Sequence, residues 1–310
     1  MPSHPSVPDN KWEHLPVGCV ESHFLDSGSF TLWTQAAKYA KENKSGKWSF
    51  YDTPKFWEYI DAYADFVKKY AAGIDFYANV DVIPEPKLSW RNLQYLENHH
   101  GLTPIPVVHY TTDLKWIHKH IDEGYDYIAL GGLVGSMRSP MCKKWLDDCF
   151  NIICDTPDRL PKVKVHGFGV TNYRMLLRYP WASVDSTTWT KVGAYGGIMV
   201  PHKRNGKYTF LLPPYVIQVS SESSSRGMDG RHFYTLSQAE QNIVTEWLAY
   251  VDVPLGKMNS RGKVLEWGVI TRHTERRCVN LLFFEMFRNS LPKYPWPFTA
   301  KTREGFNIPW

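Results

Sequence analysis

Between residues 15 and 190, short apolar runs alternate with helix-like stretches, and this alternation constrains the fold more than any other feature of the chain. The runs fall at 17–25, 74–82, 104–109, 126–131, 163–168 and 181–186, and each reads as a short buried strand. The stretches between them carry helical periodicity. In 54–70, Phe56, Trp57, Ile60, Tyr63, Ala64 and Val67 recur at helical spacing, which places them on one face. Asp52 and Thr53 stand where a cap belongs, and Pro54 suits the first helical turn. In 140–154, Met141, Trp145, Leu146, Cys149, Phe150 and Ile153 repeat the pattern. Further helices are expected at 237–251, with Ile243, Val244, Trp247, Leu248 and Val251 on one side, and at 273–289, with Arg272, Arg276 and Arg277 near its start.

Strands that alternate with helices call for a parallel sheet, because parallel neighbours need a crossover between them. Polar residues gather at the ends of the runs: Asp26, Asp81, His109, the glycines of 131–135 and Asp185. In a (β/α)8 barrel the C-terminal strand ends share one active-site face. A doubly wound open sheet gathers its ligands at one switch point instead. The expected fold is therefore α/β, a (β/α)8 TIM-like barrel made by a single catalytic domain over 1–310. Its region 190–310 is looser, completes the barrel and carries irregular, substrate-binding additions. There, Lys203-Arg204-Asn205-Gly206-Lys207 reads as a basic hairpin turn between 198–200 and 208–210. The Ser-, Gly- and Arg-rich segment 215–235 reads as a mobile loop, and 292–310 as an irregular strap.

Composition narrows the class. The chain has 310 residues, 43% of them apolar, with 13 Trp and 18 Tyr. That supplies a full core and leaves aromatics for surfaces or grooves. The net charge of +5 permits an acidic partner without demanding one. No apolar run is long enough for a membrane span. Residues 1–6 lack a basic stretch followed by an apolar one, so no secretory signal is expected and the location reads as cytoplasmic. The five cysteines, Cys19, Cys142, Cys149, Cys154 and Cys278, are odd in number and form no CxxC pair. They speak against a disulfide framework and give no zinc pattern, so reduced, mostly buried thiols and no metal are expected.

The strand ends carry the chemistry. Tyr127-Ile128-Ala129-Leu130-Gly131-Gly132-Leu133-Val134-Gly135 is an apolar run that ends in three glycines within five positions. Bare backbone there can approach a flat base or a phosphate and offer its N–H groups, or simply make a tight turn. Phe24-Leu25-Asp26-Ser27-Gly28-Ser29-Phe30 and Ser183-Val184-Asp185-Ser186-Thr187-Thr188-Trp189 each put an aspartate after an apolar run. Two carboxylates facing a sugar C1′ can perform displacement with retention, one attacking and one handling protons. A strand-end aspartate also serves as a cap or turn former. Asp81, in Asn79-Val80-Asp81-Val82-Ile83-Pro84, can accept two hydrogen bonds from the N1–H and amine of a guanine-like ring, or form an Asx turn before Pro84. His109, after Val107-Val108, can donate to a base O6 or be a satisfied core histidine.

In this order, these segments resemble the tRNA-guanine transglycosylases over roughly 15–210. The 24–30 segment is similar to that family's Asp-Ser-Gly-Gly-Phe motif. The 127–135 segment is similar to its Gly-Gly-Leu-Ala-Val-Gly-Glu signature, and 183–189 to the strand that carries its nucleophilic aspartate. The resemblance implies that Asp185 attacks C1′ and holds a covalent glycosyl intermediate, and that Asp26 handles protons on the leaving and incoming bases. It implies that Asp81 binds the base edge, that His109 stands where the family has a base-contacting glutamine, and that Gly131 and Gly132 present backbone to the base.

Ser29 replaces the second glycine of the first motif, and Ser136 replaces the glutamate after Gly135. The C-terminal half has no three-cysteine, one-histidine zinc cluster, which in the tRNA enzymes supports the part near the RNA. The resemblance therefore points to the DpdA-type branch of phages and bacteria, which exchanges guanine in DNA for a 7-deazaguanine base. The expected enzyme needs no cofactor, acts in the bacterial cytoplasm on a flipped or single-stranded guanine, and has a homodimer among the assemblies open to it. Lys203, Arg204, Lys207, Arg226 and Arg231 are candidate phosphate contacts, and Trp189 a candidate stacking residue. Competing readings are a tRNA-guanine transglycosylase without the zinc element, a non-catalytic nucleic-acid- or base-binding subunit of the same fold, and a generic barrel glycosidase.

Overall fold

The computed structural model describes residues 22–170, 172–223, 227, 230–259 and 261–299. Residues 17–21 of the first expected strand, Cys19, Arg226 and the end of the expected strap lie outside them. The chain is mixed α/β and divides into two compact units, Met1–Gly132 and Leu133–Trp310.

In the first unit strands and helices alternate. The order is β1 (Phe24–Leu25), α1 (Ser29–Asn43), a 3-10 turn at Lys47–Asp52, α2 (Pro54–Lys69), β2 (Phe76–Tyr77), α3 (Pro86–Asn98), β3 (Val107–His109), α4 (Lys115–Asp122) and β4 (Tyr127–Gly131). β1 runs parallel to β2, and β3 parallel to β4 with His109 opposite Gly131. A parallel bridge between Ala78 and Ile105 joins the two pairs.

Local chemistry sets these boundaries. The Thr53 hydroxyl accepts from Phe56 N–H and caps α2, while Asp52 turns away to pair with Arg91 at 2.6 Å. The face of α2 read from spacing is the buried one: Phe56, Ile60, Tyr63, Ala64 and Val67 join Leu32, Phe50, Tyr51, Val80, Val82 and Leu96 in one apolar core. Each such large side chain contributes about 1.5–3 kcal/mol when fully buried. β2 is shorter than 74–82 because α3 takes over the backbone that follows it. Asn92 Nδ2 donates to Val80 O, Asn79 Nδ2 to Ser89 O, and Val82 N–H to Ser89 Oγ.

The second unit begins with parallel strands and ends with antiparallel ones. Its first elements are α5 (Pro140–Ile153), β5 (Lys164–Gly167), α6 (Tyr173–Arg178), β6 (Ser183–Val184) and α7 (Thr188–Ala194). β5 and β6 are parallel, with His166 opposite Ser183. Ser139 caps α5 ahead of Pro140. The buried face of α5 is Cys142, Leu146, Cys149, Phe150 and Ile153, whereas Met141, expected on that face, is exposed. Phe150 stacks on Tyr179 at 4.7 Å, and Phe298 of the expected strap packs on both rings.

The elements that follow are β7 (Gly197–Val200), β8 (His202–Arg204), β9 (Lys207–Thr209), β10 (Tyr215–Gln218), α8 (Gln238–Tyr250), β11 (Lys257–Met258), β12 (Val264–Glu266) and α9 (His273–Ser290). The basic turn forms, with Asn205 and Gly206 both at positive φ, as a two-residue hairpin loop requires. Its flanks differ from the expected ones. β8 pairs with β9, whereas 198–200 lie in β7, which pairs antiparallel with β10. Pro201 separates β7 from β8, since it has no N–H to give to a ladder. Residues 215–218, expected in a mobile loop, are therefore a strand, and the buried His232 ring bonds Ser220 O at 2.9 Å. In α8, Val244, Trp247 and Leu248 are buried, while Ile243 faces outward.

Candidate active site

In the first unit, three of the expected site residues meet. Asp81 follows β2 on the segment pinned by α3, and His109 ends β3. Both side chains are buried, and His109 Nε2 bonds Asp81 Oδ2. The other ring nitrogen, Nδ1, is buried and has no partner among the described residues. Gly131 lies against the same ring: a Cβ there would stand 3.0 Å from His109 Cε1 and Nδ1. Gly132 sits at φ +69°. The glycines thus make room for the imidazole and the turn, and Asp81 forms a buried pair rather than an Asx turn.

Asp26 is exposed and follows β1 in the same unit. Its Oδ1 accepts from Gly28 N–H at 3.3 Å, which closes a short turn into α1. Gly28 holds φ +74°, and a Cβ there would approach Tyr59 Oη to 2.7 Å. That hydroxyl donates to Ser27 O at 2.6 Å. Burial first, and then the charge of Asp26, push the Tyr59 phenol above its ordinary range. Ser29 needs no glycine conformation: it opens α1, buried, with its hydroxyl 2.8 Å from that of Ser27. Phe30, the next residue, is 71% exposed and stacks on Trp33, over which Lys47 Nζ lies at 3.7 Å.

In the second unit, Asp185 stands just past β6 with its side chain half exposed. Gly169 N–H donates to its Oδ1 at 2.5 Å, and His166 Nε2 lies 3.7 Å from the same oxygen. Gly169 reaches this position at φ +65°, a conformation costly to any residue with a Cβ. His166 is buried, and its Nδ1 sits 2.6 Å from Ser183 Oγ. Desolvation raises the Asp185 pKa, but the nearby His166 ring and the bond from Gly169 more than offset it, so the carboxyl lies below its ordinary value. The group is therefore an anion at neutral pH with an accessible oxygen, as a nucleophile requires.

The candidate nucleic-acid contacts are dispersed through the second unit. Arg204 and Lys207 are exposed on the β8–β9 hairpin. Lys203 is paired with Glu246 of α8 at 2.7 Å. Arg231 is exposed, and Trp189 is half buried in α7. Residues missed in the sequence are His166, Tyr59 and Phe30. A signal for His166 existed, since it is the one titratable side chain in the last four residues of an apolar run at 163–168. Cys142, Cys149 and Cys154 are buried, and burial raises their thiol pKa values, that of Cys154 to about 12. Among the described residues no group of three or more His, Cys, Asp and Glu side chains is placed to hold a metal ion, and no helix is long and apolar enough to cross a membrane. Comparisons with models of known protein families, with curated proteins and with solved structures give no match to this chain.

Proposed function

We propose that the chain is a DNA guanine transglycosylase of the (β/α)8 class, which exchanges guanine for a 7-deazaguanine base. The observation that carries this reading is Asp185: a half-exposed, ionised carboxylate at the end of a parallel strand, with one oxygen anchored by a backbone N–H. Parallel strands joined by helices support the barrel class.

In this reading an Asp185 oxygen attacks C1′ of the deoxyribose. The C1′–N9 bond breaks and its electron pair leaves with the base, which departs neutral with a proton that the exposed Asp26 relays from solvent. The strand is then held as an ester of Asp185. The incoming base gives its N9 proton to Asp26 and attacks C1′, and the ester bond electrons return to Asp185. Two inversions give retention, and no Lewis acid is needed. Base recognition is assigned to Asp81, His109, Gly131 and Gly132. With one Asp81 oxygen held by His109, the other is the acceptor for the N1–H and amine of guanine. Phe30, four residues after Asp26 in the chain, offers an exposed aromatic ring.

The test is uptake of labelled guanine by the full chain into DNA or tRNA, with Asp185→Ala as control and a chelator in parallel. Label in DNA, lost in Asp185→Ala and retained with chelator, is the expected result. Label in tRNA alone transfers the reading to the tRNA enzymes. Uptake into neither polymer, with binding of either one intact, leaves a non-catalytic binding protein.

A further inference from the structure

We propose that His166 is a positioning residue for Asp185, holding Oδ1 through its Nε2–H while Ser183 fixes the ring through Nδ1, so that Oδ2 is the attacking oxygen. The inference rests on the reading of Asp185 as the nucleophile.

The geometry selects one tautomer. His166 Nδ1 and Ser183 Oγ lie 2.6 Å apart, and Nε2 faces Asp185 Oδ1 at 3.7 Å. If Nδ1 carried the only ring proton, the Nε2 lone pair would face an anion. If Ser183 donates its hydroxyl proton to Nδ1, Nε2 carries the proton and faces the carboxylate as a donor. The strands enforce this order. His166 and Ser183 are directly opposed in the β5–β6 register, and Asp185, two residues beyond Ser183, returns to the same side of the pleat. The ring is further held by the edge contact of Phe168, at 4.5 Å and 74°. Asp185 Oδ1 therefore lies between the Gly169 N–H and the His166 ring, and the titratable group facing it is His166. At 3.7 Å the two atoms lie beyond hydrogen-bonding distance in the free protein, and the proposal requires the contact to close when substrate binds.

This arrangement gives His166 a defined task in both half-reactions. When Oδ2 bonds to C1′, Oδ1 becomes the ester carbonyl oxygen and loses charge. When the ester breaks, charge returns to Oδ1, and a fixed donor already points at it. The residue touches neither base nor sugar in this scheme. It acts through Asp185.

The test measures the array without turnover and then with it. In the wild-type chain, the nitrogen NMR shifts of His166, assigned by loss of its signals in His166→Gln, report the tautomer. The expected form carries the proton on Nε2, and a neutral ring protonated on Nδ1 overturns the proposal. A carbon-NMR titration of the Asp185 carboxyl, assigned with Asp185→Asn, is then compared in His166→Phe and His166→Gln. Loss of the donor in His166→Phe should raise the Asp185 midpoint by about one unit or more. In single-turnover base exchange it should move the acidic limb of the pH profile upward, and it should slow the step about 10- to 100-fold at unchanged KM for DNA. His166→Gln, whose amide N–H replaces the Nε2–H, should restore most of both. An unchanged Asp185 midpoint in a folded His166→Phe chain, or a Gln variant no better than Phe, overturns the proposal. Should His166→Phe not fold, Ser183→Ala replaces it: loss of the Nε2-protonated form is expected, and a tautomer unaffected by Ser183→Ala refutes the array. Turnover that survives Asp185→Ala removes the glycosyl reading, while the tautomer and midpoint still decide the role of His166.

Discussion

A single methyl group is a sharp probe of the buried Asp81–His109 pair. The Cβ of Gly131→Ala would stand 3.0 Å from His109 Cε1 and Nδ1 and 3.2 Å from Val107 Cγ1. The ring cannot retreat freely, because Asp81 holds its far nitrogen. The substitution should cost about 1–3 kcal/mol of stability, read from the midpoint of denaturant unfolding. A loss below a few tenths would show that the ring moves without resistance. His120 supplies a pH test. It is buried, its Nδ1 has no partner among the described residues, and it borders a small cavity of about 10 Å3 lined by Asn79, Trp90 and Trp116, which is room for one water at most. Burial first, and then the charge of Lys119, lower its pKa from 6.5 to about 4. The folded chain therefore binds this proton less readily than the unfolded one. The contribution of His120 to stability is full above pH 6.5 and is lost as pH falls through about 4, with a limit of about 3 kcal/mol. His120→Gln should flatten the fall in unfolding free energy between pH 7 and 4, and an unaltered slope would contradict the assignment.

At the scale of elements, α5 and α6 are joined by a charged clamp rather than by apolar contact alone. Arg178 Nε and Nη2 donate to the two oxygens of Asp147 at 2.7 and 2.9 Å, and Tyr179 Oη donates to Oδ1 at 2.7 Å. Desolvation lowers the Arg178 pKa, but Asp147 more than reverses it, so the guanidinium stays above its ordinary range. Removing Asp147 leaves a mostly buried cation without its carboxylate. Asp147→Ala should cost about 3–5 kcal/mol, and the double variant Asp147→Leu/Arg178→Met should recover much of that in thermal unfolding. A single variant as stable as wild type would show that Arg178 finds another partner. The same logic applies to α9, whose Arg276 and Asn280 bond the carbonyls of Gly193, Val269, Trp189 and Gly197 and so tie α7 and β7 together.

At the scale of the whole molecule, a net charge of +5 on 310 residues is too small to set DNA affinity by itself. The slope of binding against salt should come from particular cations. Arg204→Ala and Lys207→Ala should each lower that slope by about 0.9, the value for one released counterion. Lys203→Ala should change it little, since Glu246 already neutralises that ammonium. Equal effects for all three would show that the hairpin does not meet the phosphates in this manner. The sequence by itself determined the mixed α/β class, the strand–helix order through β6, and the Thr53 cap and most of the buried face of α2. These depend on residue spacing and on side chains bonding their own backbone neighbours. It also marked Asp26, Asp81, His109 and Asp185 as polar ends of apolar runs. Only the tertiary structure decided that β7 pairs with β10, that Asp81 and His109 bond each other, and that Gly169 bonds Asp185 with the His166 ring 3.7 Å from the same oxygen. Those outcomes depend on register between strands far apart in the chain, and on which polar group reaches a buried partner first. Neither is encoded in local spacing, because a strand's side-chain period fixes the face of a residue but not the strand across from it.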